Sequence, residues 1–486
     1  MKVKSYARNR IMEKKNYIVG IDIGSSNIVM IVGSKNAAGE MVIEALVERA
    51  SKGVNAGMIE NINQVSECVK AAKAEAEERL GIRISEAYAG ISGAFISCAS
   101  LSDHVYVREP QSGISQSDVD ALFLRMKEVV APDNEIIMER IPQNYVVDGV
   151  KEISDPVGAF GRRLAATFNF ILCEKTPLDR LNMVFRHSGM ELAGVYANPM
   201  IMSEALLSED EKMDGAVVVD LGGSTTDVAV YHGNIIRHIA SIPMGAGSIN
   251  KDICMHGVPE RSVEALKKKY GSAVAEFVSD QKLIQIPTMG HRTKGVLRRN
   301  LAAIIEARLT DIAELVKTEI KNSGYAGRLS FGMVLTGGSA AIEHIDELFH
   351  RVTGYEVRVA TASCGLDESS RNGIEYPEHT AAVALLLKGA EHGICSVSFR
   401  PTMVPPRQPA TSKITTPEQR MPEQRMPENV VDKKTVPNPD DGERKEPEPQ
   451  PETTNGGGRG RWFGNMIKKL TDGINNTFEN ADDEEI

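Results

Sequence analysis

The sequence predicts an α/β fold of two related halves, with a small α+β domain inserted in the first half and a proline-rich tail. Three observations support this prediction. Short β-rich runs alternate with long amphipathic helices as far as residue 396, two similar glycine turns occur 198 positions apart, and the composition changes abruptly after residue 396. The 486 residues, 42% of them apolar, can bury a large core, and the length suggests about three domains.

Two long helices illustrate the alternation. The helix predicted over 61–80 places its apolar residues on one face and ends at Gly81, and the helix predicted over 300–322 ends before Gly324. An apolar stripe of this kind is typical of a helix that covers a sheet. The pattern therefore favours sheets covered by helices.

Charge and cysteine content exclude several classes of protein. The formal net charge of −10 argues against a protein that coats nucleic acid. The six cysteines contain no CxxC pair, as expected of reduced thiols in the cytosol rather than of a disulfide framework or a zinc site.

No apolar run reaches the roughly 18 residues of a membrane-spanning helix, and the basic N-terminus leads into a strand too short for a signal sequence.

A strand, a turn of small residues and a second strand occur twice. In each copy the first strand ends in Asp, an apolar residue and Gly, followed by small polar residues. Glycine lets backbone N–H groups approach phosphate oxygens, hydroxyl groups add donors, and an Asp at the strand end can hold hydrated Mg²⁺. We therefore expect the two turns to face each other across a nucleotide. The predicted contacts are Asp22, Gly24, Ser25, Ser26 and Asn27 in the first turn and Asp220, Gly222, Gly223, Ser224 and Thr225 in the second, with Asp22 and Asp220 holding Mg²⁺ through water.

A third glycine turn contains Gly337, Gly338 and Ser339. It follows an apolar strand and is predicted to open a helix against the nucleoside. Each turn alone would more simply be a hairpin or a strand-to-helix turn, but their joint occurrence favours a nucleotide site. The sequence has neither a GxxxxGK[ST] P-loop nor a GxGxxG turn that opens a helix, which disfavours two common nucleotide folds.

With these three turns the chain resembles the actin-like ATPase superfamily, which includes actin, bacterial filament proteins, sugar kinases and heat-shock chaperones. The resemblance implies ATP and Mg²⁺ in a cleft between two α/β halves, with the third turn at the adenosine. It also implies nucleotide contacts at Gly245, Glu264 and Lys267, the last two through a Glu-x-x-Lys pattern. An ion pair on a solvated helix face is the alternative interpretation of Glu264 and Lys267.

The same resemblance implies that a Gln or Glu near the helix between the halves orients the attacking water, assisted by the second Asp, here Asp220. At that position, just before Pro199, this chain has Asn198, whose amide cannot act as a base. Glu204 is the second candidate. We therefore expect ATP binding with at most slow hydrolysis, the nucleotide acting as a conformational switch for polymerisation.

The 80 residues 85–164 are predicted to form the inserted α+β domain. They contain predicted strands at 86–91, 104–107, 134–142 and 143–147, and an amphipathic helix with Ser117 as its N-cap. An insert at this point resembles that of the FtsA family of division proteins, and it also occurs in the pilus-assembly protein PilM.

The tail is predicted to be an extended linker followed by an amphipathic helix. Of the 22 prolines, 12 fall between Pro401 and Pro451, together with a threefold PEQRM-like repeat, so this segment cannot build a core. The helix segregates seven apolar side chains from polar ones, which predicts docking in the plane of a membrane surface. The predicted lipid contacts are Trp462, Phe463, Met466, Ile467, Leu470, Ile474 and Phe478, aided by Lys468 and Lys469.

Docking of this helix on the protein's own body or in a groove of a partner is the alternative. The length of the linker favours the membrane, since a helix that packs on the adjacent domain needs no long tether. The acidic residues 482–485 would be repelled by acidic lipids and weaken the electrostatic contribution.

Core, insert, linker and terminal helix together resemble the FtsA family over essentially the whole chain. The resemblance implies an actin-like filament protein, peripheral on the cytoplasmic face of the inner membrane at the division site. Its implied partners are further copies of itself, the lipid surface, other division proteins and the C-terminal peptide of FtsZ, which would bind in residues 250–331; no nucleic acid is implied. A PilM-type pilus scaffold and a small-molecule kinase of the same superfamily are the alternatives.

The domain boundaries predicted on this basis are as follows. The first half comprises 1–84, 165–205 and about 371–396, the insert 85–164, the core of the second half 206–249 and 332–370, its outer subdomain 250–331, the linker 397–458 and the terminal helix 459–480.

Overall fold

The computed structural model describes residues 16–279, 281–287, 293–374, 376–393, 395 and 397–399. The strands are β1 (Tyr17–Ile23), β2 (Asn27–Lys35), β3 (Met41–Ala50), β4 (Val54–Asn55), β5 (Met58–Ile59), β6 (Ile82–Ile84), β7 (Glu86–Ile91), β8 (Ile96–Tyr106), β9 (Glu135–Val147), β10 (Val150–Ile153), β11 (Arg163–Glu174), β12 (Glu191–Ala197), β13 (Ala216–Leu221), β14 (Thr226–His232), β15 (Ile235–Ile242), β16 (Leu283–Pro287), β17 (Thr293–Leu297), β18 (Met333–Thr336), β19 (Val357–Val359) and β20 (Val397–Phe399). The α-helices are α1 (Ile62–Leu80), α2 (Gln116–Lys127), α3 (Lys175–His187), α4 (Asn198–Leu206), α5 (Glu209–Asp214), α6 (Ala246–Met255), α7 (Glu260–Tyr270), α8 (Arg298–Asn322), α9 (Ile345–Thr353), α10 (Glu368–Arg371) and α11 (Thr380–His392).

Two five-stranded sheets share one topology. The first has the order β12-β7-β1-β2-β3 and the second the order β15-β14-β13-β18-β19. In each, three antiparallel strands in sequence are joined by two parallel ones. The duplication predicted from the two turns therefore extends to the whole sheet, and the prediction of two related α/β halves is confirmed.

The strand β13 shows how the halves join. Val217 and Val219 belong to the core of the second half, whereas Val218, on the opposite face, belongs to the core of the first. Because side chains alternate along a strand, one apolar run is buried on both faces. The helix α4, between the halves, covers this second face of β13.

The long helices have the ends that their sequences predict. The Asn61 side chain caps α1 by accepting from the N–H of Gln64 at 3.1 Å, and Gly81 ends this helix with a φ of 66°. Gly324, with a φ of 75°, follows α8. No helix among the described residues is long and apolar enough to span a membrane.

The inserted domain is a four-stranded antiparallel sheet, β10-β9-β11-β8, covered by α2. One strand, β9, spans the two segments predicted at 134–142 and 143–147. The N-cap of α2 is Ser115, in a capping box with Asp118, rather than Ser117 as predicted.

The strand pairing differs from the predicted limits of the insert, 85 and 164. The strand β7, assigned to the insert, pairs in parallel with β1 and β12, whereas β11, assigned mostly to the first half, pairs with β8 and β9. The strand β7 has six residues and β11 has twelve, and in neither does the apolar pattern carry a local signal for the sheet that the strand joins.

The first half also extends further than the predicted residue 396, because β20 pairs with β6. Apart from this strand, the predicted linker over 397–458 and the terminal helix over 459–480 lie outside the described residues.

Candidate nucleotide-binding cleft

The three glycine turns meet in one cleft between the halves. A cavity of about 140 Å³ lies between the turns, and a second one of about 410 Å³ adjoins it beside α7. The predicted residues that line the first cavity are Asp22, Gly24, Ser25, Ser26, Asn27, Asn198, Asp220, Gly222, Gly223, Thr225, Glu264, Lys267, Gly337, Gly338 and Ser339. The fold thus brings together residues separated by more than 300 positions in the chain.

The first two turns have the same backbone geometry. The N–H of Gly24 donates to the carbonyl oxygen of Asn27 at 3.0 Å, and that of Gly222 donates to the oxygen of Thr225 at 3.0 Å. A Cβ would lie 2.8 Å from the acceptor oxygen in the first turn and 2.9 Å from it in the second. Both positions therefore require glycine.

The two turns also touch each other. The hydroxyl groups of Ser25 and Ser224 are hydrogen-bonded, and a Cβ on Gly223 would lie 2.2 Å from Oγ of Ser26. Ser224 therefore faces the opposite turn and does not line the cavity. Ser92, which follows β7, adds a contact of 3.2 Å between its Oγ and Oγ1 of Thr225.

The third turn packs against the second Asp. Gly337 has a φ of 89° and a ψ of 165°, a conformation almost restricted to glycine, and a Cβ there would lie 2.1 Å from Oδ1 of Asp220. The helix that this turn opens, Gly338–Ala341, is one turn of 3₁₀ helix. The extended backbone of Ile342 interrupts it, and α9 begins only at Ile345.

Three carboxyl groups lie at the cleft: Asp227 is buried, and Asp22 and Asp220 are half-buried. Burial raises the pKa of Asp22 to about 6, although a hydrogen bond from Asn198 partly offsets this effect. Burial, together with the nearby charges of Asp227 and Asp22, holds the pKa of Asp220 well above its ordinary value. A nearby cation stabilises the charged form of such a carboxyl group and lowers its pKa again. This set of hard oxygen donors beside glycine N–H groups therefore fits hydrated Mg²⁺ held together with phosphate.

The third of these groups, Asp227, escaped the sequence analysis. It lies opposite Asp220 in the β13–β14 pair, and burial raises its pKa to about 6, partly offset by the Ser241 and Ser92 hydroxyls. Val29 occupies the corresponding place in the first copy, opposite Asp22. A charged residue within the apolar strand after the turn was the signal that could have revealed it.

Asn198 and Glu204, the two candidates for water positioning, have different surroundings. Asn198 is the first residue of α4, and its Nδ2 donates to Oδ1 of Asp22 at 3.1 Å. Gly90 makes room for this amide, since a Cβ there would lie 1.9 Å from Oδ1 of Asn198. Glu204 does not line the cavity, because its carboxylate pairs with Nζ of Lys388 at 2.9 Å.

Gly245 supports the second turn from behind. It precedes α6, whose first two N–H groups, of Ala246 and Gly247, donate to the carbonyl oxygens of Gly222 and Gly223 at 3.0 and 2.6 Å. A Cβ on Gly245 would lie 2.6 Å from the oxygen of Gly222. Gly245 does not itself line the cavity, and its predicted contact with the nucleotide stays a prediction.

The helix α7 brings its ion pair into the cleft. Nζ of Lys267 lies 2.8 Å from the Glu264 carboxylate, and Lys267 is only 6% exposed. Lys267 is therefore buried in the cleft, whereas the Glu264 side chain remains 51% exposed. The neighbouring Lys268 and, from the first half, Glu378 also line the cavity and lie 3.5 Å apart across it; no motif in the sequence indicated them.

Known proteins similar to this chain decide between the families. A family model described as cell division protein FtsA matches residues 217–384, and one described as the SHS2 domain inserted in FtsA matches residues 93–172. The chain is 30% identical to cell division protein FtsA of Pseudomonas aeruginosa over 380 residues. This alignment covers 77% of this chain and 89% of the relative. This chain belongs to the FtsA family of cell division proteins.

FtsA of Bacillus subtilis gives the same result, with 30% identity over 378 residues, or 77% of this chain and 84% of the relative. Among solved structures, a chain of the PilM-PilN type IV pilus biogenesis complex aligns with a TM-score of 0.52 over 77% of this chain and 98% of the other. Its sequence identity is 13%, so this likeness shows the fold alone. The predicted actin-like fold with an inserted domain is confirmed, and sequence similarity places the chain with FtsA.

Proposed function

We propose that this chain binds ATP with Mg²⁺ in the cleft, polymerises on the cytoplasmic face of the membrane at the division site, and tethers the FtsZ ring there. Membership of the FtsA family supports the role in division. The proposal of nucleotide binding rests on the meeting of two turns with matching backbone hydrogen bonds, each preceded by a half-buried Asp whose pKa is raised.

In this proposal, different groups of the cleft bind different parts of the nucleotide. Backbone N–H groups of the first two turns and the hydroxyls of Ser26 and Thr225 donate to phosphate oxygens. Asp22 and Asp220 hold hydrated Mg²⁺, which neutralises charge on the phosphates. Glu264 and Lys267 line both cavities beside the third turn, and they contact the nucleoside in this proposal.

Hydrolysis is slow in this proposal. The Asn198 amide donates a hydrogen bond to Asp22 and has no basic group with which to activate water. Glu204, which could be a base, is paired with Lys388 away from the cavity. Bound ATP then acts as a switch for polymerisation rather than as a substrate that turns over rapidly.

The FtsZ peptide is proposed to bind in the outer subdomain. A cavity of about 590 Å³ there is lined by apolar side chains from α6, α7, β16, β17 and α8, with Lys294 at its edge. An apolar groove with a cation suits a peptide that carries apolar and acidic residues. Of the basic residues of this subdomain, Lys294 lines the groove, whereas Lys267 and Lys268 line the cleft and Arg298 pairs with Glu343.

A matched pair of variants tests the groove. Leu283 lines it and is 64% exposed, whereas Met255 is 84% exposed and lies outside the lining. The substitution Leu283→Asp should weaken binding of a synthetic FtsZ C-terminal peptide by about tenfold, since it places a charge in an apolar site. Met255→Asp should not change it. Equal affinities for the two variants would place the peptide elsewhere.

Vesicle sedimentation tests the membrane attachment. With ATP, Mg²⁺ and vesicles of phosphatidylethanolamine and phosphatidylglycerol, the full chain should pellet, and a chain that ends before Trp462 should stay in the supernatant. Leu470→Glu, on the apolar face of the predicted helix, should release most of the protein, and Asn475→Glu, on the polar face, should release little. If the shortened chain pellets with the vesicles as well as the full chain does, the helix is not the anchor.

A further inference from the structure

The inserted domain is docked on the second half, although the chain connects it to the first. The strand β8 lies at one edge of the sheet of the insert, and β15 lies at one edge of the sheet of the second half. These two edge strands pack against each other. The insert therefore contacts both halves of the protein.

Polar groups of the neighbouring strands β9 and β11 also contact β15. Nη1 of Arg237, on β15, donates to Oε1 of Gln143 at 3.2 Å and to Oδ1 of Asn144 at 3.1 Å. In return, Nε2 of Gln143 donates to the carbonyl oxygen of Ile236 at 3.1 Å, and Nδ2 of Asn169 donates to that of Arg237 at 2.8 Å. Arg237, Gln143 and Asn169 are 8%, 9% and 5% exposed. Because a buried donor without a partner is costly, these groups hold the insert in one position.

The guanidinium of Arg237 is oriented by the second half. Its Nε donates to the carbonyl oxygen of His232 at 2.8 Å, and its Cζ lies 5.2 Å from the centre of the Tyr325 ring. A planar cation held on two sides presents its remaining N–H groups in a fixed direction. Movement of β15 relative to β9 and β11 would therefore break several hydrogen bonds together rather than bend them.

Both sides of this contact lead directly to the cleft. The far end of β15, Ile242, pairs with Thr226, which immediately follows the second turn. On the other side, β8 begins four residues after Ser92, whose hydroxyl touches Thr225 of the same turn. The second turn is thus connected to β15 through the β14–β15 pair, and to Asn169 of the insert through β8, which pairs with β11.

We propose that the contact between Arg237 and Gln143, Asn144 and Asn169 couples the position of the inserted domain to the nucleotide in the cleft. This inference rests on the proposed binding of ATP. The inserted domain carries exposed apolar side chains, such as Tyr106, Val150 and Phe160, which are 74%, 71% and 77% exposed. The coupling makes the orientation of the inserted domain, and with it of these side chains, depend on the state of the cleft.

Hydrogen exchange of the full chain, with and without Mg²⁺ and ATP, tests the coupling. In the unchanged protein, ATP should slow exchange in the two phosphate turns and should alter exchange in β9, β11 and β15 by about fivefold. In Arg237→Met and in Gln143→Met, which approach the contact from opposite sides, the turns should remain protected and the response of the insert should be lost. Arg308→Met is the matched control, because Arg308 pairs with Asp252 within the second half, and it should retain the full response.

Two results would overturn the proposal: an insert that does not respond to ATP in the unchanged protein while the turns do, or a response that persists in both variants. Failure of the proposed ATP binding has a different signature, since the turns themselves would then show no protection, and the coupling would fall with it. If Arg237→Met does not fold, Gln143→Met, which leaves the cation paired with Asn144, decides the outcome.

Discussion

The backbone of Gly337 packs directly against the carboxylate of Asp220, so that a Cβ at this glycine would lie 2.1 Å from Oδ1. The third turn therefore fixes the position of the second Asp, and the part of the cleft proposed for the nucleoside is in contact with the part proposed for Mg²⁺. A shift of either one must displace the other.

The substitution Gly337→Ala should weaken ATP binding in the presence of Mg²⁺ by at least about tenfold, because Asp220 must move and the backbone conformation is almost restricted to glycine. Isothermal titration calorimetry measures the effect. Gly354→Ala is the control: its φ is 81°, but no atom lies within 4 Å of the added Cβ, so it should cost stability without changing affinity. Unchanged ATP affinity in Gly337→Ala would mean that the position of Asp220 does not affect nucleotide binding.

Without ligand, the stability of the protein should fall as the pH rises through about 6. The pKa values of Asp22 and Asp227 are raised from 3.8 to about 6, so between these values the folded state binds more protons than the unfolded state, and the free energy of unfolding decreases as pH increases. Asp227→Asn removes one of these groups. It should therefore stabilise the ligand-free protein at pH 7.5 by about 1–3 kcal/mol and have little effect below pH 4.

Urea unfolding at the two pH values measures this effect. Asp252→Asn, which removes the carboxylate that Arg308 contacts, is the control and should destabilise the protein at pH 7.5. A ligand-free Asp227→Asn protein that is less stable than the original at pH 7.5 would mean that the carboxylate is already stabilised as an anion.

The substitution Asn198→Ala should make ATP binding more sensitive to acid. The Asn198 amide lowers the pKa of Asp22 through its hydrogen bond, so its removal raises that pKa further and leaves less of the carboxylate ionised near pH 6. Since a hydrogen bond to a charged group contributes about 1.5 kcal/mol, Mg²⁺-dependent affinity at pH 6 should fall about tenfold, and less at pH 8. Rapid ATP turnover that survives Asn198→Ala would contradict the proposed switch.

The substitution Glu204→Gln should leave ATP binding and hydrolysis within about twofold of their original values. Glu204 contacts Lys388 rather than the cavity, and Lys388 retains Glu391 at 3.1 Å, so the expected loss of stability is about 0.5 kcal/mol. Malachite-green phosphate release measures turnover, with Asp220→Asn as the variant that should lose Mg²⁺-dependent binding. A tenfold loss of turnover in Glu204→Gln would restore this residue as a candidate base.

The sequence predicted the features that depend on neighbouring residues. Gly24 and Gly222 are required by a hydrogen bond to a residue three positions later, and Gly81 ends its helix in a left-handed conformation. Asp227 was missed for a different reason. Its importance depends on burial beside Asp220, and burial is a property of the assembled sheet.

By itself the sequence determined the two duplicated turns, the third turn and the long helices, because glycine turns and helix ends are fixed by local backbone geometry and hydrogen bonding. It also determined the resemblance to the FtsA family. Only the tertiary structure decided that β7 belongs to the first half and β11 to the insert, that Gly337 supports Asp220, and that Arg237 holds the insert to the second half. These relationships join residues far apart in the chain, and a strand's partner is chosen by which apolar faces the whole fold can bury together.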